Sequence, residues 1–318
     1  AIHYRAIRTR PGAAPRLLAA ASYGLAWCQL KQGDAKQADA LFAQAANTAE
    51  AEPDLRNDAL LQRGEIAYRD KRFAEAKSFF AKVAGKPQPR ERATYMLGWS
   101  ELGLGKPDLA AQHFQKLLRD YPNGSFVADA SIRLARILNE NADFKGAREV
   151  LKPLVAQPTD APPAEDTLHV YGATLVGLED WKPLLDLCDQ LATAYPDAER
   201  QFLVSFRRGL AYQGLGMADQ AEAEFRQTVE QTDTIEAAKA QFNIGSLYFA
   251  RQQFLDAAKN FLRVEMLYDY DDLAPRALYH AAQSFRRAGQ EDRAGIYEEK
   301  LKTKYADSTW TAKLKQAN

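Results

Sequence analysis

The sequence is poor in the features that most often announce a chemistry. It holds two cysteines, Cys28 and Cys188, and four histidines, His3, His113, His169 and His280. Neither cysteine stands in a CxxC pair or beside a histidine pair, which excludes the usual zinc and dithiol spacings. None of the histidines lies in HExxH or beside a cysteine or paired carboxylate, and neither GxGxxG nor GxxxxGK[ST] occurs. No apolar run approaches the roughly 18 residues that a membrane span requires. A surplus of either charge is missing too. Lys+Arg and Asp+Glu both number 42, so nothing calls for wholesale attraction to nucleic acid or to an anionic membrane. What is present is ordinary for a folded protein: 318 residues, 46% hydrophobic and 26% charged, enough for two average domains or one elongated array.

The positive signal is a period. In HFQKLLRDYPNGSFVADASIRLARILNE (113–140), a helix-spaced apolar run stops at Tyr121-Pro122 and another begins at once. Tyr195-Pro196, Tyr268-Asp269 and Tyr305-Ala306 follow at intervals of 74, 73 and 37 residues, and 74 is twice 37. Self-similarity at such a period marks a helical repeat array. Each unit reads as helix A, a tight turn, then helix B. Helix A carries a small residue at Ala26, Gly64, Gly98, Ala135, Gly172, Gly209, Gly245 and Ala282. Twelve residues on, helix B carries Ala38, Ala76, Ala110, Ala147, Leu184, Ala221, Ala257 and Ala294. Small side chains at matched places let two antiparallel helices approach closely. Four residues further come Phe42, Phe80, Phe114, Leu151, Cys188, Phe225, Phe261 and Glu298. A large apolar group at i+4 shares the alanine's face and fills the core between helices. Glu298 breaks the rule, as befits a more polar terminal repeat, with Tyr297 as a substitute ring.

The turns carry their own chemistry. KQGDAKQA (31–38), GKPDLA (105–110) and RAGQEDRA (287–294) put glycine, at home in the left-handed region, at the end of helix A. Asp or Gln then opens helix B. GLG at 214–216 is another such turn. In Tyr-Pro turns the proline stops helix B at the residue before it. The Pro-rich AQPTDAPPAED (156–166) is expected to be an ordinary inter-repeat loop, because the period runs unchanged across it.

These residues resemble the tetratricopeptide repeat (TPR) family, whose usual unit of 34 residues is slightly shorter than most units here. The resemblance implies an all-α, right-handed α-solenoid of about eight helix-turn-helix units. Phe114, Leu117, Tyr121 and Pro122 are similar to the helix B ending of bacterial envelope arrays, namely the Tol-Pal-associated periplasmic coordinator and the outer-membrane assembly lipoprotein. A periplasmic or envelope location follows from that likeness, with the cytoplasm as the alternative. Residues 1–318 are expected to form a single array. Residues 1–15 would be a remnant of a preceding repeat, 16–306 eight repeats, and 307–318 a capping helix with Ser308 as N-cap. A chain starting inside a repeat implies a longer parent and a route to self-association through the broken repeat. Cys28 and Cys188 lie four hairpins apart, too far for a disulfide, and are expected to stay reduced.

In the family, residues one turn before the small residue of helix A, and one and four after it, tend to face the inner wall. Carried over, the expected partner-binding set is Tyr23, Trp27, Tyr68, Tyr95, Trp99, Arg136, His169, Phe206, Phe242 and Tyr279. Aromatic side chains there supply large contact area at low entropic cost, although rings at helical spacing are also core material. Asn243, Arg276 and His280 resemble fragments of the family's carboxylate clamp, but Phe206 and Leu210 stand where its Lys and Asn belong. Arg133, Arg136, Arg207 and Arg208 read as cations on solvated helix faces. The acidic run DYDDLAP (269–275) reads as a helix-start cap rather than a metal site. No catalytic, metal or cofactor residue is expected. The expected function is a non-catalytic scaffold for a protein or peptide partner, without nucleic acid or a direct membrane span. The alternative is the substrate-recruiting arm of a larger enzyme.

Overall fold

The computed structural model describes residues 1–156, 162–268 and 270–317, and the chain falls into two compact units, Ala1–Gln157 and Pro158–Asn318. Among the described residues there are helices and no strand. The first unit holds α1 (Ile2–Arg8), α2 (Pro15–Lys31), α3 (Ala35–Asn47), α4 (Pro53–Arg69), α5 (Phe73–Phe80), α6 (Pro87–Gly103), α7 (Pro107–Asp120), α8 (Val127–Glu140) and α9 (Phe144–Val155). The second holds α10 (Glu165–Gly177), α11 (Trp181–Ala194), α12 (Gln201–Gly214), α13 (Ala218–Gln231), α14 (Ile235–Ala250), α15 (Phe254–Leu267), α16 (Ala274–Arg287), α17 (Glu291–Lys304) and α18 (Thr309–Ala317). Within each unit the helices pack on their immediate chain neighbours, and contacts skip at most one helix. That is the helical-hairpin stacking of a solenoid.

The small-residue register explains the hairpins. Ala26, Ala135 and Ala282 are at most 1% exposed, and all eight helix B partners from Ala38 to Ala294 are fully buried. Phe42, Phe80, Phe114, Phe225 and Phe261 stand one turn further and are also within 1% of full burial. Each such ring stabilises by about 1.5–3 kcal/mol through the apolar surface it removes from water. Four of these rings, Phe80, Phe114, Phe225 and Phe261, lie against a helix A glycine, Gly64, Gly98, Gly209 and Gly245 respectively. Helix and ring thus share a space that only a missing side chain leaves open.

Prolines and aspartates set the helix starts. Pro15, Pro53, Pro87 and Pro107 open their helices, where a missing N–H costs nothing. Asp34 and Asp143 accept the N–H of Gln37 and Gly146 at 2.9 and 3.0 Å. Helices α7, α11 and α17 end just before Tyr121, Tyr195 and Tyr305, as the Tyr turns predict. Between helices A and B, Gly33, Gly105, Gly216 and Gly289 have φ of +70 to +85°. The other four turns put Lys71, Ala142, Glu179 and Gln252 into the same conformation at φ of +55 to +61°. The turn geometry is therefore kept even where the residue type opposes it.

Two expectations meet a different structure. Glu298 is not a solvated group at a polar end. It is 6% exposed and its carboxylate lies 2.8 Å from the Arg286 guanidinium, while Tyr297 stacks on Phe285. The aspartates before α16 supply no side-chain cap; its N-cap is Leu273, and Asp271 and Asp272 are exposed. Asp269 lies outside the described residues, as do 157–161 of the Pro-rich loop, which coincides with the boundary between the two units. At the end of the second unit, Ser308 Oγ accepts the Thr311 N–H at 3.1 Å, and Leu314 is 4% exposed.

Candidate functional site: the helix A faces

In the first unit, the expected aromatic wall residues are half-buried. Tyr23 and Trp27 on α2 stand edge-on to the buried Phe42, with centroids at 5.6 and 5.8 Å. Tyr95 on α6 stacks on Phe126 at 4.5 Å and packs edge-on to Trp99. Its hydroxyl donates to Asp129, and burial with that bond raises its pKa to about 12. Tyr68 on α4 packs on Phe73. Each ring gives part of its surface to the core and leaves the rest on the helix A side.

A cavity of about 420 Å³ opens between α2, α4 and α6, lined by Trp27, Leu30, Gln62, Glu65, Tyr68, Arg69, Arg92 and Met96. Three successive A helices therefore build one concave surface with an aromatic and apolar floor and a charged rim. Burial raises the pKa of Glu65, and its ion pair with Arg92 at 2.6 Å opposes that shift. Further along, the Arg133 guanidinium lies 4.6 Å over Trp99, and Arg136 is exposed on the same helix.

In the second unit the expected residues divide. His169 and Phe242 are each 5% exposed and turned into the stack, Phe242 against Phe261. Phe206 is half-buried on Phe225. Asn243, Tyr279 and His280 remain half-buried, and Arg276 is exposed. Arg276, Tyr279 and His280 meet around Trp310 of α18, with His280 and Tyr279 ring centroids 5.4 and 5.2 Å from it.

His169 also exposes a correction, because its partner Arg207 is no solvated cation. Arg207 is 8% exposed and donates to His169 Nδ1 at 2.9 Å and to the His169 carbonyl at 2.8 Å. With Nδ1 accepting, the ring proton sits on Nε2 and faces Glu165 Oε1 at 3.0 Å. Glu165 in turn receives Arg200 Nε at 3.1 Å. Burial, then Arg207 and Arg200, lower the His169 pKa to about 4. Burial lowers Arg207 to about 10 and raises the Cys188 thiol to about 12. A thiol that holds its proton so firmly is no nucleophile at neutral pH. The guanidinium fills the space over Gly172, in the slot that phenylalanine rings take over Gly64 and Gly98.

The wall rule carried over from the family also missed residues. Leu30 stands four after Ala26, the position that yielded Tyr68, so the same rule applied to every unit finds it. Gln62 and Met96 both stand two before the small glycine, a register not considered. Trp310 lies outside the eight repeats and gave no periodic signal.

Among the described residues, no helix is long and apolar enough to cross a membrane, and no group of three or more His, Cys, Asp or Glu could hold a metal ion. A comparison with curated proteins finds no match. Tetratricopeptide repeat family models match residues 95–162 and 206–266, and 20–48, 58–88 and 276–308. Several solved structures share the fold. PilW, described as a widely conserved type IV pilus biogenesis factor, is 17% identical with a TM-score of 0.57, covering 73% of this chain and 99% of its own. The C-terminal part of a TPR repeat-containing protein from Cytophaga hutchinsonii is 13% identical with a TM-score of 0.57, covering 77% and 95%. PilF of Pseudomonas aeruginosa is 17% identical with a TM-score of 0.52, covering 72% and 97%. With the family models spread along both units and the register of small residues and buried rings behind them, the chain belongs to the tetratricopeptide repeat family.

Proposed function

We propose that this protein is a non-catalytic scaffold of a bacterial cell-envelope complex, and that the α2–α4–α6 face holds an extended segment of a partner protein. TPR repeats generally build protein-interaction scaffolds, and the observation that carries the finer reading is the concave cavity with Trp27 and Tyr68 in its floor. Half-buried rings are anchored by the core on one edge, so a partner gains contact area without ordering them. Gln62 and the Glu65–Arg92 pair in the cavity lining offer hydrogen bonds to a peptide backbone. The helix B ending at Phe114, Leu117, Tyr121 and Pro122 supports the envelope, as does the fold shared with a pilus biogenesis factor.

The non-catalytic reading draws support from the cluster of His169, Arg207, Glu165 and Cys188, whose residue types could serve catalysis. His169 is neutral and enclosed by Arg207 and Glu165, and Cys188 is fully buried and protonated. A photocrosslinking amino acid at residue 27 or 68, in cells of the source organism, tests the site. A discrete protein adduct is expected there and none from the exposed position 296. Adducts from neither groove position, or the same adducts from all three, would remove the groove.

A further inference from the structure

A second cavity, of about 600 Å³, opens in the first unit between α1, α2 and α3, where Arg5, Arg8, Gln29 and Gln44 stand around Leu25 and Leu41. No carboxylate lines it. Leu25 and Gln29 are each two residues from Trp27, which at 3.6 residues per turn puts them on the far side of α2 from the α2–α4–α6 cavity. Gln29 is 5% exposed, and its side chain makes no hydrogen bond among the described residues. Buried amides are normally paired, because going without a partner is costly. Arg8 Nη2 donates to Gln44 Oε1 at 2.8 Å, which bridges α1 to α3 and leaves the Gln44 NH2 free to donate. Arg5 stands three residues before Arg8, on the same helix face. Neither arginine makes an ion pair among the described residues, whereas Arg16 and Arg63 of this unit pair with Glu52 and Asp39. The Tyr4 ring lies against Gly24 and so seats α1 on α2.

We propose that this α1–α2–α3 cavity binds a small phosphorylated ligand, with the phosphate on Arg5 and Arg8 and the Gln29 amide completing its donors. Planar guanidinium forks match the several oxygens of a phosphate, and no neighbouring acid repels it. Gln29 gains in the complex the hydrogen bond that it lacks in the free chain. The cavity is larger than a phosphate, so a monoester with a body the size of a sugar fits as well as the free anion, and the two share this chemistry. A nucleic-acid strand fits less well, because it needs a track of cations along its phosphates. The site lies away from the inner wall of helices A and goes beyond the scaffold reading.

The test is calorimetric titration of the full chain, in phosphate-free buffer at matched ionic strength, with glucose 6-phosphate, inorganic phosphate and glucose. Glucose 6-phosphate is expected to bind and glucose not. Inorganic phosphate binding as tightly as the ester assigns the site to the free anion, and weaker binding assigns it to a monoester. The double variant Arg5→Gln/Arg8→Gln is expected to lose at least about tenfold in affinity, as the loss of charge-assisted hydrogen bonds requires. Lys36→Gln, exposed in the same unit, controls for general charge loss. Gln29→Leu is expected to weaken binding by about threefold without lowering the melting temperature, since its amide has no partner to lose. Binding of neither phosphorylated probe, equal affinity in the double variant, or a lowered melting temperature with unchanged affinity in Gln29→Leu would overturn the proposal. So would tighter binding of a phosphoserine peptide, which would make the ligand a protein.

Discussion

Gly98 and Phe114 compete for one volume: a Cβ on residue 98 would stand 2.5 Å from Cε1 of the Phe114 ring. Gly98 is therefore set by packing, because by helix propensity alone alanine is better there by about 1 kcal/mol. Gly98→Ala is expected to destabilise the protein by about 1–3 kcal/mol, since the fully buried ring has nowhere to retreat. Urea unfolding measures this, and Phe114→Leu in the same chain should return part of the loss. A stabilised Gly98→Ala protein would show that ring and backbone are not in contact.

The turns between helices A and B predict the opposite sign for glycine. Ala142 has φ of +58°, where an L-residue is strained by about 1–2 kcal/mol. Glycine relieves that strain but adds entropy to the unfolded chain, so Ala142→Gly is expected to stabilise by about 0.5–1 kcal/mol. Glu179→Gly and Gln252→Gly should act in the same direction. Thermal unfolding of the three single variants checks it, and lowered melting temperatures would contradict the turn conformation.

Much of this fold is legible in the sequence because its cause is periodic. Small residues, alanines and phenylalanines recur in register, and burial follows that register from Ala26 to Ala294. The Tyr and Gly turns are legible for the same reason. What resists reading is what departs from the period. Arg207 looks like any cation on helix A, and only the room left by Cys188 in place of a phenylalanine admits it to the core. Lys71, Ala142, Glu179 and Gln252 carry no residue signal for left-handed backbone, because neighbouring contacts rather than local preference hold them there. The aromatic wall was half legible. Helical spacing places Trp27 and Tyr68 on the helix A side, but it does not tell an enclosed ring such as Phe242 from one that borders a cavity.

His169, which is buried, and His280, which is half-buried, make stability depend on pH. Both His169 and His280 have a folded-state pKa of about 4, below the ordinary value of about 6.5. The unfolded chain therefore binds more protons between those values. Their contribution is complete above pH about 6.5 and is lost as pH falls toward 4, at most about 1.4 kcal/mol per pH unit for each histidine. Melting temperatures should fall across that window. His280→Phe should flatten the dependence by its share, and an unchanged slope would mean that His280 titrates alike in both states.

The two thiols should be told apart by a reagent. Cys188 is fully buried and its pKa is raised to about 12 by that burial, whereas Cys28 is only half-buried. Ellman's reagent on the native protein is expected to modify Cys28 first and Cys188 at the rate of unfolding. In guanidinium chloride both should react together. Rapid native reaction of both would show that the α11 core opens locally.

Arg207 offers the sharpest test of how the repeat is built. In the stack of the second unit its guanidinium lies where a Cβ on Gly172 would stand, 2.9 Å from Nη1, and it satisfies both the His169 ring and the His169 carbonyl. Arg207→Leu would leave the His169 ring nitrogen buried and unpaired, while the His169 carbonyl keeps its partner within α10, and a loss of about 1–3 kcal/mol is expected. Cys188→Phe alone would press a ring into the space the guanidinium holds, with an expected loss of about 1–3 kcal/mol. Together, the new ring should take the slot over Gly172 that Phe80 takes over Gly64, and the unpaired Glu165–His169 end can turn to water. The double variant is therefore expected to be more stable than the sum of the single losses by at least about 1 kcal/mol, a coupling that a double-mutant cycle in urea resolves. Simple additivity would mean that ring and guanidinium do not exchange places, and that the fifth hairpin is closed by other contacts than those of its neighbours.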